Sequence, residues 1–136
     1  MPHEPDPGTA PRFRVVGAVI VHDGLVLCAQ RGTGPLAGTW EFPGGKVEDG
    51  ETAREALARE IEEELGCRVA VREELTTATH AYDFGTVVLT TYRCDLVAGT
   101  PGAREHQDVR WLPPSELDRL EWAPVDLPTV GLLVTG

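Results

Sequence analysis

A dense group of acidic residues occupies positions 59–66, where the chain reads REIEEELG. Carboxylates four residues apart on a helix, such as Glu60 and Glu64, repel one another unless a cation lies between them. Oxygen ligands of this kind are the ones that Mg²⁺ and Mn²⁺ prefer. Arg59 lies one turn before Glu63, so its planar guanidinium can hold a carboxylate in position. The segment therefore predicts a divalent-cation site, with a solvated acidic surface as the alternative.

A helical projection separates the four glutamates of this segment into two groups. At about 100° per residue, Glu60, Glu63 and Glu64 fall on one strip, whereas Glu62 points away from it. The strip adjoins an apolar stripe of three residues, Leu57, Ile61 and Leu65. Because an apolar stripe packs on the core, the three glutamates are expected at the edge of the packed face and Glu62 in solvent.

The helix that carries these residues has clear signals at both ends. Thr52 and Glu55 form a T-x-x-E pattern, which is typical of a capping box at a helix N-terminus. No Gly or Pro interrupts Ala53–Leu65, and Gly66 follows where a C-terminal cap is expected. The pattern therefore predicts a helix over Ala53–Leu65.

Strand patterns surround this helix on both sides. Apolar or Val- and Thr-rich runs predict strands over residues 13–22, 25–31, 39–42, 67–82, 86–96 and 109–112. Asp23-Gly24 predicts a hairpin between the first two strands. Shorter helices are predicted over residues 113–120 and 126–134. The order of strands, helix, strands and helix indicates an α/β (α+β) fold, with a mixed central sheet in an α/β/α sandwich.

The length of 136 residues indicates one domain, which is predicted over residues 13–136. Residues 1–12 are polar and rich in Pro, and they are expected to form a mobile N-terminal tail. That segment lacks the apolar core of a secretion signal, and no run approaches the roughly 18 apolar residues that span a bilayer. The three cysteines are widely spaced and odd in number, which favours a reducing, cytoplasmic location.

The chain carries a formal net charge of −10, from 12 Lys and Arg residues against 22 Asp and Glu residues. An acidic protein without a basic patch repels nucleic acid and anionic membranes, so neither is an expected partner. A polyphosphate substrate would be repelled as well, unless divalent cations offset the charge. The charge balance therefore agrees with the cation site that the acidic helix predicts.

The helix and the loop before it resemble a known motif. Residues 45–67 read GKVEDGETAREALAREIEEELGC, which is similar to a complete Nudix box, G-x5-E-x7-R-E-U-x-E-E-x-G-U, where U is a bulky aliphatic residue. The fixed positions that match are Gly45, Glu51, Arg59, Glu60, Ile61, Glu63, Glu64 and Gly66. Cys67 takes the last aliphatic position and is apolar enough to pack there. The preceding WEFPGGK resembles the MutT branch of the Nudix hydrolases, and the C-terminal run EHQDVRWLPPSEL resembles bacterial CTP pyrophosphohydrolases within it.

The resemblance implies a Nudix-type fold and Mg²⁺-dependent hydrolysis of (deoxy)nucleoside triphosphates to a nucleoside monophosphate and pyrophosphate, with Mn²⁺ as an alternative ion. The implied metal ligands are the backbone carbonyl of Gly44 and four carboxylates, those of Glu60, Glu63, Glu64 and Glu105. Arg59 is implied to orient Glu60, while Glu60 or Glu105 accepts the proton of the attacking water. The implied catalytic residues are therefore Glu60, Arg59, Glu63 and Glu105. Glu51 is expected to tie the loop to the helix.

The resemblance also implies six substrate-binding residues: Arg31, Glu41, Phe42, Lys46, Tyr82 and Asp126. Arg31 and Lys46 are the cations near the phosphates, with a solvated loop position as the alternative for Arg31. Glu41 and Phe42 are expected to line the nucleotide pocket, and a core position is the equal alternative for Phe42. Tyr82 is expected to form a pocket wall.

Asp126 bears on the choice of base. In the relatives that clear oxidised guanine nucleotides the matching position is an asparagine, which both donates and accepts, whereas an ionised Asp only accepts. An acceptor suits the exocyclic amine of cytosine, so (d)CTP or a modified cytosine nucleotide is the favoured substrate, in a role of nucleotide-pool sanitation. The alternative for Asp126 is a cap of the helix that begins near Leu127.

Other readings of the same sequence stay open. The alternative activities are 8-oxo-dGTP diphosphatase, dinucleoside polyphosphate hydrolase and a non-catalytic module that senses a nucleotide. His80 and His106 have no partner at metal-ligand spacing, so they are expected on the surface or in a polar pocket. A monomer and a homodimer are both compatible with the chain.

Overall fold

The computed structural model describes residues 11–136, and most of the predicted N-terminal tail over residues 1–12 lies outside them. The first strand already begins at Arg12, one residue earlier than its apolar pattern indicates. In the described residues there are seven strands and two α-helices: β1 (Arg12–His22), β2 (Leu25–Gln30), β3 (Trp40–Glu41), β4 (Gly44–Lys46), α1 (Ala53–Leu65), β5 (Arg68–Tyr82), β6 (Gly85–Ala98), β7 (Asp108–Leu112) and α2 (Leu127–Thr135). Two 3₁₀ helices, Pro114–Arg119 and Pro124–Asp126, precede α2.

The strands form one sheet in the order β3-β2-β1-β6-β5, with β4 paired to β1 and β7 paired to β2. β1 runs parallel to β6, from the pair Arg12 and Thr86 to the pair Val21 and Asp95, whereas the other pairings are antiparallel. The parallel pair lies at the centre of the sheet. The prediction of a mixed central sheet is therefore confirmed.

Alternation along β1 divides the apolar core between the two faces of the sheet. Val16, Ala18 and Ile20 pack in one cluster with the apolar stripe of α1, whereas Val19 packs in a second cluster with Val130 of α2. Successive side chains of a strand point to opposite faces, so one strand contributes to both clusters. Helices cover both faces, which confirms the α/β/α sandwich.

The caps of α1 form as its sequence predicts. The Thr52 hydroxyl accepts a hydrogen bond from the Glu55 backbone N–H at 3.1 Å, and the Glu55 carboxylate accepts one from the Thr52 N–H at 3.0 Å. Gly66 ends the helix in the left-handed region, at φ 69°, and its N–H donates to the Glu62 carbonyl. The helix that carries the acidic residues is therefore fixed at both ends.

The short helix predicted over residues 113–120 forms as a 3₁₀ helix, over Pro114–Arg119. One element differs from the sequence prediction. β4 is absent from the sequence prediction, because glycines have low strand propensity and this strand forms only through pairing with β1. A Cβ on Gly44 would collide with the Val16 carbonyl oxygen, so glycine is required for this close pairing.

The described residues contain no helix that is long and apolar enough to cross a membrane. The longest of them, α1, has 13 residues and carries a charged face.

Candidate active site

The N-terminal half of the Nudix-like motif brings β4 against the acidic face of α1. A Cβ added to Gly45 would collide with the Glu60 carboxyl group, so the absence of a side chain lets that carboxylate approach the backbone closely. β4 is itself held by its pairing with β1 at the centre of the sheet. Glu60 is therefore positioned against a strand that pairs with the central strand of the sheet.

Arg59 lies at the centre of a network of carboxylates. Its Nε and Nη2 atoms donate to the two oxygens of Glu51 at 2.6 and 2.9 Å, a bidentate pairing. Its Nη1 donates to Glu60 Oε1 at 2.9 Å and to Glu63 Oε2 at 3.2 Å. Nη2 also lies 3.3 Å from the Lys46 carbonyl oxygen. Arg59 thus pairs its planar fork with Glu51 and holds one oxygen of Glu60 through Nη1.

Glu51 connects the loop to the helix. In addition to its bidentate pairing with Arg59, its Oε1 accepts a hydrogen bond from the Glu48 N–H at 3.0 Å. These bonds hold the pKa of Glu51 below its usual value, because both partners favour the ionised form. Among the described residues, the hydrogen bonds of Glu51 thus join the loop before α1 to the helix.

Glu64 is the acid of the motif with the most perturbed environment. Burial, together with the negative charges of Glu41, Glu60 and Glu105, raises its pKa to about 8, against a hydrogen bond with the Gly44 backbone that lowers it. Its Oε2 atom is buried and has no hydrogen-bond partner among the described residues. A cation beside Glu64 would relieve both the repulsion and the missing contact, so the donor set fits a hard divalent ion.

The predicted metal ligands are brought together in part. Glu64, Glu105 and Gly44 line the cavities described below, whereas Glu60 and Glu63 line neither, and the side chain of Glu63 is 58% exposed. Glu60 and Glu63 both point to Arg59. Within residues 11–136, no three Asp, Glu, His or Cys side chains are close enough together to hold a metal ion by themselves.

A cavity of about 410 Å³ opens between β4, the start of β1 and the segment before α2. Its apolar walls include Val15, Phe42, Leu89 and Val125, and its polar lining residues are Arg31, Glu41, Lys46, Glu64 and Asp126. The apolar walls with a few polar groups are typical of a small-molecule site. Five of the six predicted substrate-binding residues lie among these, and the sixth, Tyr82, also lines the cavity.

Asp126 lies in the wall of this cavity and is only 3% exposed. Its Oδ1 accepts a hydrogen bond from the Phe42 backbone N–H at 3.2 Å. Burial raises its pKa well above the usual value, and the charge of Glu41 adds to this, while the Phe42 bond and Arg31 oppose it. Asp126 occupies the N-cap position of α2, as its alternative role requires, but its side chain makes no capping hydrogen bond there.

Phe42 serves the cavity and the core together. It is 3% exposed and its ring packs on that of Trp122, with centroids 4.7 Å apart. Phe42 therefore both lines the cavity and packs in the core, and these are the two positions that its sequence context left open.

An aromatic rim borders the cavity. Tyr82 and Phe84 stack with centroids 5.0 Å apart and planes inclined by 6°, and Phe13 lies 6.3 Å from Phe84. The Tyr82 hydroxyl accepts a hydrogen bond from the Val125 N–H, which fixes its ring. Lys46 Nζ lies 4.5 Å above the Phe13 ring. Sequence reasoning identified Tyr82 but missed Phe13 and Phe84; the HAYDFG hairpin, which carries two aromatics at its turn, was the available signal for Phe84.

A smaller polar cavity of about 160 Å³ adjoins the first. Its lining residues are Arg31, Gly32, Thr33, Glu41, Glu64, Glu105 and His106. Arg31, Glu41 and Glu64 belong to both cavities, so they mark the boundary between the apolar pocket and the acidic one. His106 therefore lies in a polar pocket, one of its two expected settings, whereas His80 packs beside the Tyr82 ring.

Comparisons with known proteins agree with this geometry. The sequence model of the NUDIX domain matches residues 11–132. A Mycobacterium tuberculosis protein, provisionally named 8-oxo-dGTP diphosphatase 2, is 46% identical over 117 residues, which cover 82% of this chain and 81% of the relative. The CTP pyrophosphohydrolase of Escherichia coli is 40% identical over 117 residues, which cover 85% of this chain and 87% of the relative.

Solved structures show the same fold. The ORF135 protein of Escherichia coli has a TM-score of 0.82 at 37% identity, covering 94% of this chain and 92% of that one. A MutT protein of Staphylococcus aureus has a TM-score of 0.77 at 47% identity, covering 93% of this chain and 98% of that one. Together with the complete motif on α1, these matches show that the chain belongs to the Nudix family, as a MutT-like hydrolase that acts on acid anhydrides.

Proposed function

We propose that the protein hydrolyses (deoxy)nucleoside triphosphates to a nucleoside monophosphate and pyrophosphate, with Mg²⁺ as the cofactor and Mn²⁺ as a possible substitute. The observation that carries this proposal is the position of Glu64, whose buried and unpartnered oxygen lies where an apolar pocket meets an acidic one. A nucleoside in the first cavity would extend its phosphate chain toward Glu64 and the remaining acids of the motif.

The cation would be held by the Gly44 carbonyl and by the carboxylates of four residues, Glu60, Glu63, Glu64 and Glu105. When bound, it supplies charge neutralisation for the phosphate oxygens, which phosphoryl transfer needs more than covalent chemistry. Arg59 would keep Glu60 in place through the bond to Oε1. Lys46 and Arg31, which line the same cavity as Glu64, would bind the phosphates.

The proton of the attacking water would pass to Glu60 or to Glu105. Among the described residues Glu60 is hydrogen bonded at Oε1 only, so its Oε2 is free to accept a proton. Glu105 makes no ion pair with the described residues and lines the acidic cavity. Comparing kcat for Glu60→Gln and Glu105→Gln separates the two, because loss of the base lowers kcat more than loss of one metal contact.

We favour (d)CTP or a modified cytosine nucleotide as the substrate, because Asp126 lies in the cavity wall with its Oδ2 atom free of hydrogen bonds to the described residues. The raised pKa of Asp126 favours its neutral, protonated form. A neutral carboxyl group both donates and accepts, so it could donate to cytosine N3 and accept from the exocyclic amine. An ionised Asp126 could accept from the amine only.

The second candidate substrate is 8-oxo-dGTP. A neutral Asp126 offers the same donor and acceptor as the asparagine of the relatives that clear oxidised guanine nucleotides, and the provisional name of the mycobacterial relative agrees with this activity. Either substrate would give the protein a role in nucleotide-pool sanitation. We expect it to act in the cytoplasm as a monomer or homodimer, without nucleic-acid or membrane partners, in keeping with its net charge of −10.

A substrate panel tests this proposal. CTP, dCTP, 5-methyl-dCTP, 8-oxo-dGTP and diadenosine tetraphosphate are compared by kcat/KM for the wild type and Asp126→Asn, with the products separated by chromatography. The ranking of substrates is expected to change in the variant if Asp126 contacts the base. An unchanged ranking would remove Asp126 from base recognition, and absence of pyrophosphate from every triphosphate would refute the proposed reaction.

A further inference from the structure

Three hydrogen-bonded side chains, those of His106, Glu41 and Arg31, connect the polar cavity to the boundary between the two cavities. His106 Nε2 lies 3.1 Å from Glu41 Oε2, and Arg31 Nη1 donates to Glu41 Oε1 at 2.9 Å. Each oxygen of Glu41 therefore contacts one partner, and the carboxylate cannot rotate without losing both bonds. His106 itself is not a member of the motif on α1.

His106 is well placed to fix Glu41. Its side chain is only 5% exposed, and that of Glu41 is 18% exposed. Because Nε2 faces a carboxylate oxygen, this nitrogen carries the hydrogen and donates it. The other ring nitrogen, Nδ1, is buried without a partner among the described residues. The bond to Glu41 is thus the one hydrogen bond that His106 makes within them.

The imidazole of His106 is not needed to hold its own loop in place. The next residue, Gln107, already donates its backbone N–H to the Gln30 carbonyl at 2.9 Å, and β7 continues from Asp108 along β2. The loop is therefore held by backbone hydrogen bonds. The contact of the imidazole with Glu41 is additional to them.

Of these three hydrogen-bonded side chains, that of Arg31 is the one that can reach a ligand. Its Nε donates to the Pro35 carbonyl at 3.2 Å and its Nη1 to Glu41, whereas Nη2 makes no hydrogen bond to the described residues. Its side chain lines both cavities. A guanidinium held in one orientation presents its remaining N–H groups as a fork that suits phosphate.

We propose that His106 is a positioning residue which, through Glu41, holds Arg31 in the orientation that binds a phosphate of the nucleotide. This inference rests on the proposed function, since it needs a nucleotide whose phosphates pass Arg31. It also gives Glu41 a different task from direct substrate binding, because both of its oxygens face other side chains.

The test measures binding of a product, so it does not depend on turnover. Isothermal titration calorimetry compares CMP with cytidine, and GMP with guanosine, for the wild type, Arg31→Ala, His106→Ala and the double variant. His106→Ala is expected to weaken the monophosphate that binds best about tenfold and to leave its nucleoside within twofold, in the range of one lost hydrogen bond. His106→Gln, which keeps a donor near the position of Nε2, is expected to restore most of the affinity.

The double variant decides between positioning and a general structural role. If His106 acts through Arg31, the double variant binds the monophosphate no more weakly than Arg31→Ala alone. Additive losses, equal losses for nucleoside and monophosphate, or full affinity in His106→Ala would each overturn the inference. His22→Ala is the matched control, because His22 is exposed and pairs with Asp23 away from both cavities.

Two further measurements keep the outcome interpretable. Thermal unfolding establishes that each variant is folded, and His106→Gln replaces His106→Ala in the cycle if the alanine variant is not. Failure of the proposed reaction is visible separately, as a wild type that binds the monophosphate but hydrolyses no triphosphate. Failure of the inference is visible as a normal reaction with additive losses in the cycle.

Discussion

Glu64→Gln replaces a buried carboxyl group by a neutral amide of nearly the same shape, and its effect on stability depends on pH. In the unfolded chain Glu64 titrates near its ordinary value, whereas in the folded protein its pKa is about 8. The folded protein therefore binds this proton more tightly. The contribution of this proton binding to the free energy of unfolding is fully present below the pKa of Glu64 in the unfolded chain. It is lost as the pH rises through the pKa of Glu64 in the folded protein.

The magnitude follows from the size of the shift. A difference between 4.5 and about 8, at about 1.36 kcal/mol per unit, gives an upper limit of roughly 5 kcal/mol. Part of the repulsion is shared with Glu60, Glu41 and Glu105, and the group is partly hydrated, so we expect about 2–3 kcal/mol. In the absence of divalent ions, the wild type should lose this much between pH 5 and 9 relative to Glu64→Gln.

Urea unfolding in EDTA at several pH values measures the difference directly. The free energy of unfolding of Glu64→Gln is expected to exceed that of the wild type by a margin that grows from pH 5 to pH 9. Addition of Mg²⁺ at pH 8 should stabilise the wild type, because a ligand that binds only the folded state adds RT ln(1 + [L]/Kd), and should have little effect on the variant. Parallel pH profiles of the two proteins, or equal stabilisation by Mg²⁺, would refute the assignment of Glu64. Glu62→Gln is the control, because Glu62 is exposed on the same helix.

Three further substitutions test other contacts. Arg59→Lys removes the planar fork that binds Glu51 and Glu60 and is expected to lower kcat by about 10- to 100-fold in a folded protein, as seen by steady-state kinetics and circular dichroism. Gly45→Ala places a methyl group against the Glu60 carboxyl and should lower activity similarly; wild-type kcat would contradict the importance of this approach. Leu36→Gly removes the backbone strain of a leucine held at φ 67°, a conformation that costs an L-residue about 1–2 kcal/mol. Chemical denaturation should therefore show that the variant is about 1 kcal/mol more stable than the wild type. A loss of stability would mean that the packing of Leu36 contributes more than its strain costs.

The sequence predicts the parts of the fold that depend on local signals. The capping box of Thr52 and Glu55, the Gly66 cap and the Asp23-Gly24 turn all depend on residues close together in the chain, and the structure contains each of them. The fixed spacing of the motif on α1 likewise places Arg59 against Glu60 and Glu51. The geometry of these local features therefore follows from the spacing of residues that are close together in the chain.

Contacts between segments that are distant in the sequence could not be predicted from local signals. The bond between Asp126 and the Phe42 N–H joins residues 84 positions apart, and the Asp126 side chain makes this bond instead of the capping bond to α2 that the local sequence suggested. The pair of Glu41 and His106 joins residues 65 positions apart, and β4 exists only by pairing with β1. Each depends on how strands from different parts of the chain lie side by side in the sheet.

In the proposed reaction, the phosphate chain is hydrolysed at the acids of α1, with a bound divalent cation, so that pyrophosphate leaves. ³¹P NMR of the products formed from CTP, dCTP and 8-oxo-dGTP, with Mg²⁺ and again with EDTA, tests this most directly. A nucleoside monophosphate and pyrophosphate are expected from at least one substrate in Mg²⁺, with no product in EDTA. Glu64→Gln is expected to stay below about 1% of the wild-type rate, because loss of an outer-shell partner of a metal alone costs about 10- to 100-fold. Release of orthophosphate and a nucleoside diphosphate, or equal turnover in EDTA, would contradict the proposed reaction.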